Sequence, residues 1–142
     1  MQNTFRGHLV VLVDEYTYSD GETFAAGIKS LGLGPLVGKR TAGAGVWLSD
    51  NNRLADNGMA RVAQMGQFHT EDGQWLIEGV GVAPDVIVDN PPHATYLGQD
   101  RQLEVALEML EKKLGEQPVK PYNPQVIPEL KPGLKPGLNV RK

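Results

Sequence analysis

HLVVLVDEYTYSDGETFAAGIKSLGLGPLVG, residues 8–38, is the stretch that decides the fold. It opens on the unbroken aliphatic run His8-Leu9-Val10-Val11-Leu12-Val13. A run without alternation marks a strand buried on both faces, as in a parallel sheet covered by helices, and it reads as a central strand. Polar residues follow up to Ser19. Then Phe24, Ile28 and Leu31 recur at helical spacing, with Asp20 and Glu22 in the first turn, where the helix dipole favours acidic groups. Gly32-Leu33-Gly34-Pro35 stops the helix and Leu36-Val37-Gly38 begins a second strand. Strand, helix and strand form a right-handed βαβ unit if the sheet is parallel, so the fold class is α/β.

Downstream, the loop Thr41-Ala42-Gly43-Ala44-Gly45 gives way to Val46-Trp47-Leu48. Residues 59–68 and 74–77 flank Glu71-Asp72-Gly73, a hairpin turn signal. Val86-Ile87-Val88 reads as another short buried strand. Residues 100–114 carry the clearest helix, with Asp100 as N-cap and Leu103, Leu107, Leu110 and Leu114 as the stripe expected to pack on the sheet. From Glu116 prolines fall every few residues, and Lys-Pro-Gly-Leu occurs at Lys131 and again at Lys135. This composition predicts an extended tail outside the core, residues 116–142, after a folded unit of residues 1–115. A linker or frayed end is the first reading of that tail, and an arm clasping another subunit is the second.

The 142 residues fit one domain, and 40% hydrophobic with 22% charged residues is a globular composition. A net charge of −3 without Lys/Arg clusters argues against a nucleic-acid partner, which needs a basic face. No apolar run approaches the roughly 18 residues of a membrane helix. The chain has no cysteine, so neither disulfides nor thiolate chemistry enter and the compartment stays open, with the cytoplasm favoured over the periplasm. Residues 1–6 lack a signal-peptide core. The abrupt start on a strand suggests a chain cut from something longer, although a short natural N-terminus reads the same way.

Ser19 sits at the strand-to-helix junction, where a hydroxyl is held exposed while the N–H groups of the first helical turn, that of Asp20 first, face a developing oxyanion. Gly21 matches the downstream side of a Gly-x-Ser-x-Gly elbow, but Thr17 occupies the upstream glycine position. By local pattern alone a serine there is more often an N-cap. The histidines are His8 in a strand, His69 at a hairpin mouth and His93 in a loop after two prolines, none placed as a base. The order Ser19, Asp85, His93 mimics α/β-hydrolases, but that fold's upstream sheet is missing. Residues 34–38 have the wrong spacing for a phosphate loop, with Arg40 in the Ser/Thr position. Scattered histidines give no metal site, and no cofactor motif is present. Glu78 lies among apolar and glycine residues in Ile77-Glu78-Gly79-Val80-Gly81-Val82-Ala83-Pro84-Asp85, so its partly buried carboxylate needs a partner, whether in catalysis or in a structural ion pair.

Taken together, residues 10–24, 38–45 and 78–85 resemble the catalytic core of the tail-specific and tricorn peptidases, the S41 serine peptidases. Gly98-Gln99-Asp100-Arg101-Gln102-Leu103-Glu104, followed by an amphipathic helix, looks like the tricorn branch. The resemblance covers about residues 7–115 in the family's order. It implies a ClpP/crotonase-like β-α-β core with an added hairpin and a C-terminal helix, here the C-terminal half of the catalytic domain. It makes Ser19 the nucleophile, the Asp20 N–H an oxyanion donor and Glu78 the glutamate of a catalytic tetrad. The tail-specific branch carries a general-base lysine in a Gly-Lys-Gly segment, but Gly43-Ala44-Gly45 stands here, so that dyad is excluded unless Lys39 takes the role. The tricorn-type histidine and second serine belong to a segment N-terminal to the nucleophile, outside this chain. Implied partners are a peptide or unfolded protein substrate, the N-terminal remainder of the protease and further copies in a homo-oligomer. Gly43 and Trp47 are the expected substrate-binding residues, although core packing suits Trp47 equally. A non-catalytic binding module on the same fold is the competing reading, because folds can lose their chemistry.

Overall fold

The computed structural model describes residues 5–121. Three short parallel strands, β1 (Val11–Val13), β2 (Leu36–Gly38) and β5 (Val86–Ile87), form a sheet in the order β1-β2-β5. Val11 lies opposite Leu36, and Val37 opposite Val86. The expected βαβ unit is present, with helix α1 (Asp20–Ser30) connecting β1 to β2. The central strand, however, is β2, in which every residue is buried. β1 lies at an edge with Leu12 exposed, and β5 is the other edge rather than a buried strand, with Ile87 82% exposed. The aliphatic runs report strand propensity faithfully, but an outer strand has one neighbour fewer and leaves alternate side chains uncovered.

The helices pack through small residues. α1 buries Glu22, Ala25, Ala26 and Ile28, and its alanines join Val13, Leu36, Ile77 and Val82 in one apolar cluster. Phe24 and Leu31, expected on that face, are exposed. Helix α3 (Arg101–Glu116) packs against β1 and β2 and is capped by Asp100, whose side chain accepts the Leu103 N–H at 2.9 Å. Its buried residues are Gln102 and Ala106, and of the expected leucine stripe only Leu110 is half-buried, while Leu103, Leu107 and Leu114 are exposed. Alanine permits the closer approach of backbone to sheet, and Gln102 fits because its amide donates to the Val88 carbonyl at 3.0 Å. His93 lies in a short helix, α2 (Pro92–Tyr96), where a loop was expected.

Between β2 and β5 the chain leaves the sheet as an arm. β3 (Trp47–Ser49) and β4 (Val62–Met65) pair antiparallel, with a register irregularity between Trp47 and Leu48. Residues 74–77 contribute a single bridge, Trp75 with Phe68, instead of a strand. The turn is the expected one, closed by the His69 N–H on the Gln74 carbonyl at 2.9 Å, and the two rings stack with centroids 4.3 Å apart. Gln67 donates to Thr23 at 3.1 Å and docks the arm on α1. Asp85 ties α1 to the sheet by accepting the Leu36 N–H and pairing with Lys29, both at 2.9 Å. The Leu36 bond, followed by Lys29, holds its carboxyl below the usual aspartate range. No helix among the described residues is long and apolar enough to cross a membrane. The Lys131 and Lys135 repeats lie outside the described residues.

Candidate active site

The path from β1 to α1 is set by Asp14, whose carboxylate accepts the N–H groups of Tyr16 at 3.0 Å and Thr17 at 2.8 Å and the Thr17 hydroxyl at 3.0 Å. An acidic side chain that takes the amides ahead of it folds the chain into a tight turn. That turn delivers Ser19 to the start of α1 with φ 55° and ψ −118°. A serine held there stores about 1–3 kcal/mol of backbone strain, which the surroundings must over-determine. They do so by hydrogen bonds: the Ser19 N–H donates to Glu22 at 3.1 Å, and the Ser19 carbonyl accepts from Glu22 at 2.9 Å and Thr23 at 3.1 Å. The neighbouring Asp20 N–H, by contrast, has no acceptor among the described residues. An open N–H at a helix N-terminus is a donor that can receive negative charge.

The other wall is the loop of residues 41–46, in which every backbone N–H is engaged. Thr41 donates to the Val82 carbonyl at 3.1 Å and Ala42 to the Thr17 carbonyl at 3.0 Å. Gly43 and Ala44 donate to Glu22 at 2.7 and 2.8 Å, and Gly45 and Val46 donate to Glu78 Oε2 at 2.8 and 2.9 Å. Two carboxylates therefore divide four successive amides between them. Glu22 is 0% exposed and also accepts the Thr41 hydroxyl, which in turn receives the Val82 N–H at 2.7 Å. Burial by itself raises the Glu22 carboxyl, but the bonds from Thr41, Gly43, Ala44 and Ser19 outweigh it and hold the group below the ordinary glutamate value. Glu78 is half-buried, and its partner is backbone rather than a lysine or arginine. Its Oε1 has no partner among the described residues. The loop is closed by close approaches: a Cβ at Gly45 would lie 2.6 Å from Ile77 Cβ, and one at Gly81, where φ is +65°, would lie 2.4 Å from the Thr41 carbonyl oxygen.

The Ser19 turn is joined through Glu22 to the loop that Glu78 holds. The Gly43 N–H is spent on Glu22 and cannot be offered to a substrate. Trp47 lies half-exposed on β3 opposite Met65. Ala44 presents only a methyl group at the lysine position. Lys39 cannot substitute: its ammonium pairs with Glu15 at 2.7 Å and Asp89 at 3.5 Å, and the Glu15 bond raises its pKa away from that of a base. His8 bonds the Gln117 carbonyl at 2.7 Å, and Asp85 is committed to Leu36 and Lys29, which removes the hydrolase-like order through His93. Glu22 and Thr41 were missed as a pair. The capping-box pattern, serine followed three residues later by glutamate, could have flagged Glu22, whereas Thr41 carries no local signal.

The family model for peptidase family S41 matches residues 1–88, and the chain belongs to that family. It is 35% identical over 112 residues to the tricorn protease of Thermoplasma acidophilum, covering 79% of this chain and 10% of that protein. To tricorn protease homolog 1 of Streptomyces coelicolor it is 36% identical over 119 residues, which is 84% of this chain and 11% of the relative. A crystal structure of the tricorn protease superposes with a TM-score of 0.71 at 34% identity, over 78% of this chain and 11% of the other. The chain thus spans about a tenth of the length of these relatives.

Proposed function

We propose that this chain is the nucleophile-bearing part of a serine peptidase, with residues 1–115 the C-terminal half of a ClpP/crotonase-like catalytic domain and residues 116–142 a tail. The observation that carries the reading is Ser19 at φ 55° beside the unpartnered Asp20 N–H. Ser19 Oγ attacks a peptide carbonyl, a histidine from an N-terminal segment takes its proton and returns it to the leaving amine, and water then cleaves the acyl-enzyme. The Asp20 N–H stabilises the oxyanion, a donor whose loss costs roughly a hundredfold or more in rate. Glu78 orients the imidazolium through a second serine on that same segment, and its unpartnered Oε1 is the atom suited to receive that hydroxyl. Trp47 forms a wall for a peptide adding as an extended strand. The peptide or unfolded protein substrate, the N-terminal remainder and assembly into homo-oligomers belong to this proposal through the family likeness.

The test is fluorophosphonate labelling of the folded full-length protein, in which the N-terminal segment with the histidine is present, with the adduct located by mass spectrometry. Adduct on Ser19 that disappears in Ser19→Ala is the expected result. Absence of Ser19 labelling in the folded full-length protein overturns the peptidase reading and leaves a binding module.

A further inference from the structure

A cavity of ≈ 740 Å³ opens between α1, the Phe68–Trp75 end of the arm and residues 80–83. Thr23, Lys29, Arg40, His69, Trp75 and Val82 are among its lining residues. It runs along the face of α1 that begins at Ser19: Thr23 is one turn further on, about 6 Å of helical rise, and Ala26 and Ser30 continue the row. Its lining combines apolar residues with two cations, Lys29 and Arg40. Lys29 is neutralised by Asp85 at 2.9 Å. Arg40 is not: it forms no ion pair with any described carboxylate, and one of its nitrogens is steadied by the carbonyls of Val80 at 3.0 Å and Gly81 at 3.3 Å. Glu22 is spent on loop amides through both oxygens, and Glu78 meets them through Oε2.

We infer that this cavity is a subsite for a carboxylate carried by the bound peptide, with Arg40 as the receiving cation and Trp75 as the apolar wall beside it. A guanidinium fixed by backbone at one nitrogen keeps its remaining donors in a planar fork that matches a carboxylate, and little further ordering is needed to use it. The carboxylate has two sources, a free C-terminus or an acidic side chain. This inference rests on the peptidase reading for its ligand class, but not on turnover.

The test is calorimetric titration of the Ser19→Ala protein with three probes: N-acetyl-tetraalanine as free acid, the same peptide as carboxamide, and a carboxamide carrying one glutamate. The expected result is at least about tenfold tighter binding of one carboxylate probe than of the plain carboxamide. Which probe gains identifies the source. Arg40→Gln, which keeps donors for the two carbonyls but loses the charge, should abolish the difference, and Arg40→Lys should restore part of it. Equal binding of all three probes, no binding of any, or a preference that persists in Arg40→Gln overturns the inference. Should Arg40→Gln fail to fold, the salt dependence of the unsubstituted site decides, since a preference insensitive to salt is not an ion pair there. Fluorophosphonate labelling of the full-length protein separates the two proposals. A labelled Ser19 without carboxylate preference sinks the subsite alone, and a preference without labelling sinks the peptidase alone.

Discussion

At Ser19 the backbone conformation sets stability against function. A positive φ at a residue with a Cβ is strained, and glycine relieves it. Ser19→Gly should therefore be more stable than Ser19→Ala by about 1 kcal/mol, read from urea midpoints, while neither is labelled by fluorophosphonate. Equal midpoints would mean that the strain is not stored at this residue. Glu22 poses the complementary case, since its carboxylate accepts from Ser19, Thr41, Gly43 and Ala44. In Glu22→Gln one of the two oxygens becomes a donor facing donors, so we expect a loss of about 3 kcal/mol and weaker labelling of Ser19 through its loosened turn. A change within about 0.5 kcal/mol, the range of ordinary surface substitutions, would contradict the hub assignment. Ser19 was legible in the sequence through its place between strand and helix. Glu22 looked like an ordinary first-turn acid because its burial depends on a loop some twenty residues away.

The strand, helix and strand of the βαβ unit follow from local signals, but the faces that pack do not. For α3 the sequence pattern points to leucines, whereas the buried residues are Gln102 and Ala106, with Leu107 49% exposed. Periodicity locates a stripe about the helix axis. How closely that helix approaches the sheet is decided by residue size, and alanine wins where backbone and strand come together. The two faces can be told apart in the 142-residue chain. Leu107→Gln should shift stability by no more than about 0.5 kcal/mol, and Ala106→Asp should cost about 3 kcal/mol by burying an unpaired charge. The reverse order would restore the leucine face as the packing face. The edge positions of β1 and β5 were illegible for a related reason. A run of aliphatic residues records preference for extended structure, while the number of neighbouring strands is a property of the assembled sheet.

Over the whole molecule, the acidic groups that clamp the fold share a direction. Glu22 is held below the ordinary 4.5, and Asp85 and Asp100 below the ordinary 3.8, each by hydrogen bonds that the unfolded chain lacks. A carboxyl whose pKa falls on folding binds its proton more weakly in the native state. Its contribution is therefore complete above the unfolded value and is lost as pH drops through the folded one. Stability should be level near neutrality on account of these groups and should decline below about pH 4.5, continuing downward as the aspartates protonate. Asp100 is exposed and screened, and Asp85 is only partly covered, so Glu22 should dominate the acid limb. Glu22→Gln separates that contribution, because it has no proton to gain. Its urea midpoint should start lower at pH 7 and fall less than that of the unsubstituted chain between pH 7 and pH 3. Parallel declines over that interval would show that the acid sensitivity lies in the exposed carboxylates, and that the buried glutamate joining the Ser19 turn to the loop of residues 41–46 is not what acid releases first.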